Sequence, residues 1–188
     1  MNKTKPVKTK NTFGTFDLVY SALGAVLIAL CSWVSIPTNV PFTMQTFAVF
    51  CVLSILGGRC GTISIIVYII LAAIGVPVLA GFASGMGVVL GNTGGYIVGF
   101  IFIGLIYWLA TGLLGKKLWV EIVAMVVGII MLYVFGTAWF MIVYARTDEP
   151  IGLAMALSWC VLPFIIPDLI KLGLALMLSR RIPALPNH

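Results

Sequence analysis

Two ionisable side chains stand near the middle of the last hydrophobic stretch of the chain, residues 158–179. Asp168 and Lys171 are three positions apart, so a helix places both on one face, close enough to form an ion pair. An ionisable group at membrane depth costs about 2.5–3.5 kcal/mol on insertion scales, and such groups usually face a bundle interior and mark a solute path. The pair therefore indicates either a small-solute site or a neutralised structural pair that locks helix packing.

Two prolines, Pro163 and Pro167, stand one turn apart just before this pair. Because proline has no N–H, we expect the carbonyl groups of Trp159 and Pro163 to lose their helical partners. The sequence thus predicts a kinked, polar position inside an otherwise apolar helix.

The composition of the chain indicates whether Asp168 and Lys171 lie in a membrane protein or in a soluble domain. The chain has 188 residues, of which 62% are hydrophobic and 9% are charged. Soluble domains carry about 25% charged residues. The sequence therefore predicts an integral membrane protein with no room for a soluble domain, and the polar N-terminus, without an apolar core before the first long apolar run, predicts no cleavable signal peptide.

Apolar runs long enough for membrane helices predict an all-α fold with six transmembrane helices. We expect them at about 17–36, 43–57, 61–76, 94–114, 119–143 and 153–179. The second and third are short, so tilt, local thinning or burial in the protein must accommodate them. The predicted organisation is a basic arm (1–16), one membrane domain (17–180) and a tail (181–188).

The basic residues predict the orientation of these helices. Six helices with both termini in the cytoplasm place nine basic residues inside, one outside (Arg146) and one, Lys171, within the membrane. The nine are Lys3, Lys5, Lys8, Lys10, Arg59, Lys116, Lys117, Arg180 and Arg181. This distribution obeys the positive-inside rule, which also explains the basic arm without nucleic-acid binding.

Two further stretches carry candidate solute contacts. Thr43, Gln45 and Thr46 enter the second predicted helix, where buried polar groups need partners. Residues 75–96 contain seven glycines and no charge, yet remain apolar, which is typical of a lid or re-entrant segment over the outer mouth. That segment ends in Asn92 and Tyr96 at a predicted helix N-terminus, whose free N–H groups suit anionic or carbonyl ligands.

The first predicted helix carries a row of small residues, Ser21, Ala25 and Ala29, with Ala22 beside it. Small side chains at this spacing let another helix approach closely. The row predicts either internal packing or a docking face for a different membrane subunit.

Several classes of function lack their residues in this sequence. Gly115-Lys116-Lys117 lacks the upstream glycine and the following Ser or Thr of a phosphate-binding loop. The four cysteines have no metal-ligand spacing, and no nucleophile, base and acid set occurs. We therefore expect no enzyme activity, no catalytic residue, no metal and no cofactor.

A set of motifs in a specific order resembles a known family. The motifs are Val40-Pro41-Phe42-Thr43-Met44-Gln45-Thr46-Phe47, Gly57-Gly58-Arg59-x-Gly61, Gly75-Val76-Pro77-Val78 with Ala80-Gly81-Phe82, Gly91-Asn92-Thr93-Gly94-Gly95-Tyr96, and Pro167-Asp168-x-x-Lys171. Together they resemble BioY, the biotin-binding S component of energy-coupling factor (ECF) transporters. Asn92 departs from the family pattern, in which we expect proline at that position.

The resemblance implies a multi-pass cell-membrane protein that captures biotin at its outer side. It implies partnership with a transmembrane coupling subunit and two ATPase subunits, and an A-x-x-x-A docking face that Ala25 and Ala29 match. The substrate contacts it implies are Asp168, Lys171, Asn92, Gln45, Thr43, Tyr96 and Phe82.

Biotin chemistry suits these residues. Asp168 can accept from the ureido N–H groups and Lys171 can donate to the ureido carbonyl, while aromatic walls suit the thioether ring. The sequence also allows the opposite pose, with the biotin carboxylate on Lys171. It allows two other functions as well: an S component for another vitamin, and a transporter that works alone.

Overall fold

The computed structural model describes residues 14–37, 40–146 and 151–182, and its elements are helical apart from one short hairpin. In chain order the helices are α1 (Thr15–Trp33), α2 (Gln45–Ala73), α3 (Met86–Val89), α4 (Gly94–Leu114), α5 (Leu118–Tyr144), α6 (Leu153–Cys160) and α7 (Leu162–Arg181). A 3-10 turn, Ala80–Phe82, precedes α3. Most of the predicted basic arm and the predicted tail beyond residue 182 lie outside the described residues.

Five helical stretches in the described part of the chain are long and apolar enough to cross a membrane. They are α1, α2, α4, α5 and the stretch Leu153–Arg181, which combines α6 and α7. The chain is therefore a multi-pass membrane protein, and the predicted second and third helices both overlap α2.

A backbone break at Gly57 divides α2 into two halves. Gly57 has a φ of 83° and a ψ of 170°, a conformation that glycine adopts without the steric cost of a Cβ atom. Beyond it the chain folds back on itself: a Cβ added at Gly61 would lie 3.0 Å from the Cα of Leu53. The side chains of Gln45 and Tyr68, near the two ends of α2, are hydrogen-bonded at 2.6 Å. The two halves of α2 thus form a helical hairpin.

The first half of α2 lies at the centre of the protein. Residues 48–53 are all buried, with at most 1% of each residue exposed. A helix that is apolar all round is typical of a buried position. The sequence left tilt, local membrane thinning or burial as ways to accommodate this short segment, and the structure shows burial within the protein. Helix α2 packs against α1, α4 and α7, while α5 packs mainly against α4.

The connection between α1 and α2 differs from the sequence prediction. The first helix ends at Trp33 rather than near residue 36. Ser35 and Ile36 instead pair antiparallel with Thr43 and Phe42 in a two-stranded hairpin. Pro37 and Pro41, which cannot continue a helix, flank this turn.

The last predicted helix is divided at Val161, whose φ of −125° and ψ of −57° separate α6 from α7. The break lies two residues before Pro163, which occupies the first turn of α7, where no backbone donor is needed. Pro167 lies inside α7. The irregularity expected from the prolines is therefore present, but it falls before the first of them.

Of the two alternatives for the row Ser21, Ala25 and Ala29, internal packing is the one that the structure shows within this chain. Ala25 is 1% exposed and Ala29 is 6% exposed, and Ser21 donates a hydrogen bond to the Cys60 carbonyl at 3.4 Å. The row packs against α2 inside this chain, because small side chains admit a close helix whether it belongs to the same chain or to another. Ala22 alone of the four predicted residues is exposed.

Candidate functional site

Asp168 and Lys171 form a buried ion pair on α7, as their spacing predicts. The Lys171 Nζ lies 2.9 Å from the Asp168 Oδ1, and the two residues are 5% and 2% exposed. Breaking such a pair by removing one partner costs about 3–5 kcal/mol, because the other charge is left uncompensated. The pair is therefore a fixed feature of the folded protein.

The hairpin strand before α2 and the first turn of α2 supply the other partners of the lysine. Its ammonium group donates to the Thr43 carbonyl at 2.9 Å and to the Thr46 hydroxyl at 3.0 Å. The Phe42 ring lies 4.2 Å from the same nitrogen, within the range of a cation–π contact. An ammonium group has three N–H donors, and with Asp168 all three have acceptors in the protein.

The carboxylate of Asp168 also accepts hydrogen bonds from residues on two other helices. Its Oδ1 accepts from Thr46 at 2.8 Å, and its Oδ2 accepts from the Tyr133 hydroxyl of α5 at 2.7 Å. A carboxylate has roughly four acceptor sites, two on each oxygen. Lys171 and Thr46 use both sites on Oδ1, so one site on Oδ2 is left for a ligand.

These polar groups line a cavity of about 250 Å³ between the helices and the glycine-rich segment. Small-molecule sites are typically about 300–1,000 Å³ and mostly apolar, with few polar anchors, so this cavity suits a small ligand. Its walls are Val40, Pro41, Thr43, Gln45, Thr46, Leu79, Ala80, Ala83, Val88, Thr93, Tyr96, Ile97, Phe100, Leu132, Tyr133, Cys160, Phe164, Asp168 and Lys171.

Five of the seven predicted substrate residues meet in this cavity: Asp168, Lys171, Thr43, Gln45 and Tyr96. Gln45 donates through Nε2 to the Tyr68 hydroxyl at 2.6 Å. The Tyr96 hydroxyl is 2.8 Å from the Thr137 hydroxyl. The predicted polar anchors on α2, α4 and α7 are thus brought together.

The structure places Asn92 and Phe82 outside the cavity lining. Phe82 is 62% exposed, and its ring packs against Trp33 with centroids 4.8 Å apart. Thr93 rather than Asn92 reaches the cavity wall. The glycine-rich segment contributes instead through Leu79, Ala80, Ala83 and Val88.

Tyr133 and Phe164 are two aromatic cavity residues that the sequence did not single out. Tyr133 lies in the apolar run of α5, where an aromatic residue is equally suited to lipid and to protein. Phe164 stacks on Phe42 with ring centroids 5.9 Å apart. The one available signal was the proximity of Phe164 to Asp168 on the same helix, one turn before it.

The site can bind a neutral, partly apolar molecule that has both N–H donors and carbonyl acceptors. Asp168 offers an acceptor, and within the described part of the chain one N–H of the Gln45 amide has no partner. Most of the remaining wall residues are aliphatic or aromatic. The arrangement contains a neutralised charge pair, so a ligand need not carry a charge to enter it.

Comparison with known proteins agrees with this arrangement. The sequence model of the BioY family matches residues 2–187. The probable biotin transporter BioY of Pyrococcus horikoshii is 35% identical over 162 residues, which cover 86% of this chain and 92% of that protein. The biotin transporter BioY of Thermotoga maritima is 35% identical over 174 residues, which cover 90% of this chain and 96% of that protein.

A solved structure is similar over nearly the whole length. The crystal structure at 2.1 Å of the S-component for biotin from an ECF-type ABC transporter superposes with a TM-score of 0.76 at 29% identity. The match covers 92% of this chain and 93% of the other. On the family match and these two relatives, the chain belongs to the BioY family.

Proposed function

We propose that this protein captures biotin and delivers it across the membrane as the S component of an ECF-type transporter. The observation that carries the proposal is the buried Asp168–Lys171 pair in the wall of a ligand-sized cavity, in a chain of the BioY family. The relatives named above are biotin transporters, and the similar crystal structure is an S-component for biotin.

The hydrogen bonds that Asp168, Gln45 and Lys171 already make favour one pose of biotin. The free acceptor site on Asp168 Oδ2 takes a ureido N–H, and the free N–H of Gln45 can donate to the ureido carbonyl. Lys171 has all three donors in use, so it neutralises and orients Asp168. A biotin carboxylate on Lys171 would first have to displace one of these bonds. The ureido ring therefore lies against α7, with the carboxylate nearer the mouth.

The proposed membrane arrangement has six crossings, with the two halves of α2 counted separately. The hairpin at Gly57 and the contact of Gln45 with Tyr68 support it, because a single straight helix would hold these two residues far apart. Arg59, Lys116 and Arg181 all lie at the ends of helical segments remote from the cavity residues of α2 and α4. By the positive-inside rule those ends are cytoplasmic, which directs the cavity outwards.

We assign the cover of the cavity to the glycine-rich segment between α2 and α4. It lines the cavity through five residues and is hydrogen-bonded to the helices at several points. Trp33 donates to the Pro77 carbonyl at 3.0 Å, the Gly85 N–H donates to the Ala72 carbonyl at 2.7 Å, and Trp139 donates to the Gly91 carbonyl at 3.0 Å. The segment thus serves as a lid that is anchored at its ends and its middle.

The proposed partners are a transmembrane coupling subunit and two ATPase subunits. The absence of a phosphate-binding loop in this sequence leaves ATP hydrolysis to such partners. Because Ser21, Ala25 and Ala29 are buried in this chain, the exposed side of α1 around Ala22 is the part of that helix available for contact with a partner or lipid.

A ligand panel with a transport assay tests the proposed function. Purified protein should bind biotin in calorimetry and should ignore other vitamins such as thiamine and riboflavin. Vesicles that also carry the coupling subunit and ATPases should take up biotin only with ATP. Tight binding of another vitamin would overturn the substrate, and equal uptake by the chain alone would overturn the partner assignment.

A further inference from the structure

The hydroxyl group of Tyr68 joins the cavity wall to the lid. Tyr68 lies on the second half of α2, is fully buried at 0% exposure and does not line the cavity. Its hydroxyl lies 2.6 Å from the Nε2 of Gln45 and 3.1 Å from the carbonyl oxygen of Val78. These two hydrogen bonds therefore connect the cavity wall, at Gln45, to the start of the lid, at Val78.

The chemistry of the groups determines the direction of both hydrogen bonds. A carbonyl oxygen can only accept, so Tyr68 uses its single hydrogen on Val78. The Tyr68 oxygen must therefore accept from Gln45, which requires the amide nitrogen, and not the amide oxygen, to face it. Thr43 donates to the amide oxygen at 3.4 Å, which agrees with this orientation. The second N–H of Gln45, which lines the cavity, is then left for a ligand oxygen.

The other end of the chain is at the root of the lid. Val78 is 7% exposed, and the next two residues, Leu79 and Ala80, line the cavity. The Val78 carbonyl accepts a second hydrogen bond, from the Ser32 hydroxyl of α1 at 2.8 Å. Ser32 and Tyr68 thus hold the same carbonyl, but only Tyr68 connects it to a side chain of the cavity.

We propose that Tyr68 is a positioning residue that couples ligand contact at Gln45 to closure of the lid. The inference rests on the proposed function, since it takes biotin as the ligand. A ligand that accepts a hydrogen bond from Gln45 restricts the orientation of the Gln45 amide. The amide in turn holds the Tyr68 hydroxyl in place, and that hydroxyl holds the Val78 carbonyl next to the lid residues that line the cavity. Hydrogen bonds in such a chain polarise and strengthen one another. Because coupling between two sites is reciprocal, a closed lid in turn strengthens biotin binding. Differences in affinity among variants of one site appear mostly in the dissociation rate.

Tyr68→Phe and Ser32→Ala form a matched pair for the test. Each removes one donor from the Val78 carbonyl, so a purely structural role predicts similar effects. Only Tyr68→Phe also removes the acceptor of Gln45. Two quantities are measured in the full-length protein: the biotin dissociation rate, and hydrogen–deuterium exchange of residues 79–90 with and without biotin.

In wild type and in Ser32→Ala, biotin should slow exchange of residues 79–90. In Tyr68→Phe, exchange of these residues should no longer respond to biotin, and biotin should dissociate at least about fivefold faster, the low end of typical coupling between sites. Equal behaviour of the two variants would overturn the inference.

Wild-type protein alone also tests the idea, in case a variant does not fold. If wild type binds biotin with no change in exchange of residues 79–90, the coupling is wrong and the proposed function stands. If wild type does not bind biotin, the proposed function is overturned and the inference with it.

Discussion

The hydroxyl group of Tyr133 on α5 lies 2.7 Å from the Oδ2 atom of Asp168 on α7. Lys171 and Thr46 both use the other oxygen of that carboxylate. Tyr133 therefore orients the one oxygen that has an acceptor site to spare, and it does so from the wall of the cavity. Recognition at this site depends on α2, α5 and α7 together.

Tyr133→Phe should weaken biotin binding roughly tenfold in calorimetry, because a hydrogen bond to a charged group contributes about 1.5–3 kcal/mol. Tyr107→Phe is the matched control. Its hydroxyl also donates to a buried carboxylate, Glu121 at 3.1 Å, but it does not line the cavity. Tyr107→Phe should reduce thermal stability and leave affinity unchanged. The same loss of affinity in both variants would contradict the role of Tyr133.

A double variant separates binding by the charge pair from a purely structural role. Asp168→Asn and Lys171→Met should each lower thermal stability, by up to about 3–5 kcal/mol, since one charge loses its partner. Asp168→Leu combined with Lys171→Met should recover part of that stability, because apolar replacement of a whole buried pair is often neutral. Biotin binding should remain at least tenfold weaker, about 1.4 kcal/mol, in all three. A stable double variant with normal affinity would make the pair structural only.

Phe164 and Phe82 should differ sharply on truncation. Phe164→Ala removes an aromatic wall of the cavity, and burial of a Phe side chain contributes about 1.5–3 kcal/mol, so biotin affinity should fall about tenfold or more. Phe82 lies outside the lining and is largely exposed, so Phe82→Ala should change affinity by less than about threefold. Titration calorimetry on both variants measures this, and the reverse order would restore Phe82 as a substrate contact.

Tryptophan substitutions on α1 should distinguish the buried row from the exposed side. Ala25→Trp adds a large side chain at a position that is 1% exposed, so the protein should unfold at a lower temperature or fail to accumulate. Ala22→Trp, one turn earlier and exposed, should keep its stability and biotin affinity. If Ala25→Trp is stable and binds biotin but no longer co-purifies with the coupling subunit, the buried row and not the exposed side is the docking face.

Part of this site was predictable from local pattern alone. The spacing of Asp168 and Lys171 on an apolar helix was enough to predict their contact and their burial. The polar run at the start of α2 likewise predicted that Thr43 and Gln45 need partners. In each case the argument needs only the periodicity of one helix and the cost of polar groups in hydrocarbon.

The remaining features depend on how helices distant in sequence meet. Tyr133 is 35 residues from Asp168, and nothing in the apolar run of α5 marks which aromatic residue faces the pair. The spacing of Ala25 and Ala29 is the same whether the approaching helix is α2 or belongs to a partner. Hydrophobicity also does not separate Phe164, in the cavity wall, from Phe82, at the surface.

The small molecule that the purified protein retains tests the central claim most directly. The protein should be purified in detergent from cells grown with biotin, then denatured, and the released molecule identified and quantified by mass spectrometry. The account predicts biotin, at about one molecule per chain in wild type, and much less in Asp168→Asn, whose affinity should fall at least tenfold. A different retained molecule, or equal biotin in both proteins, would contradict it.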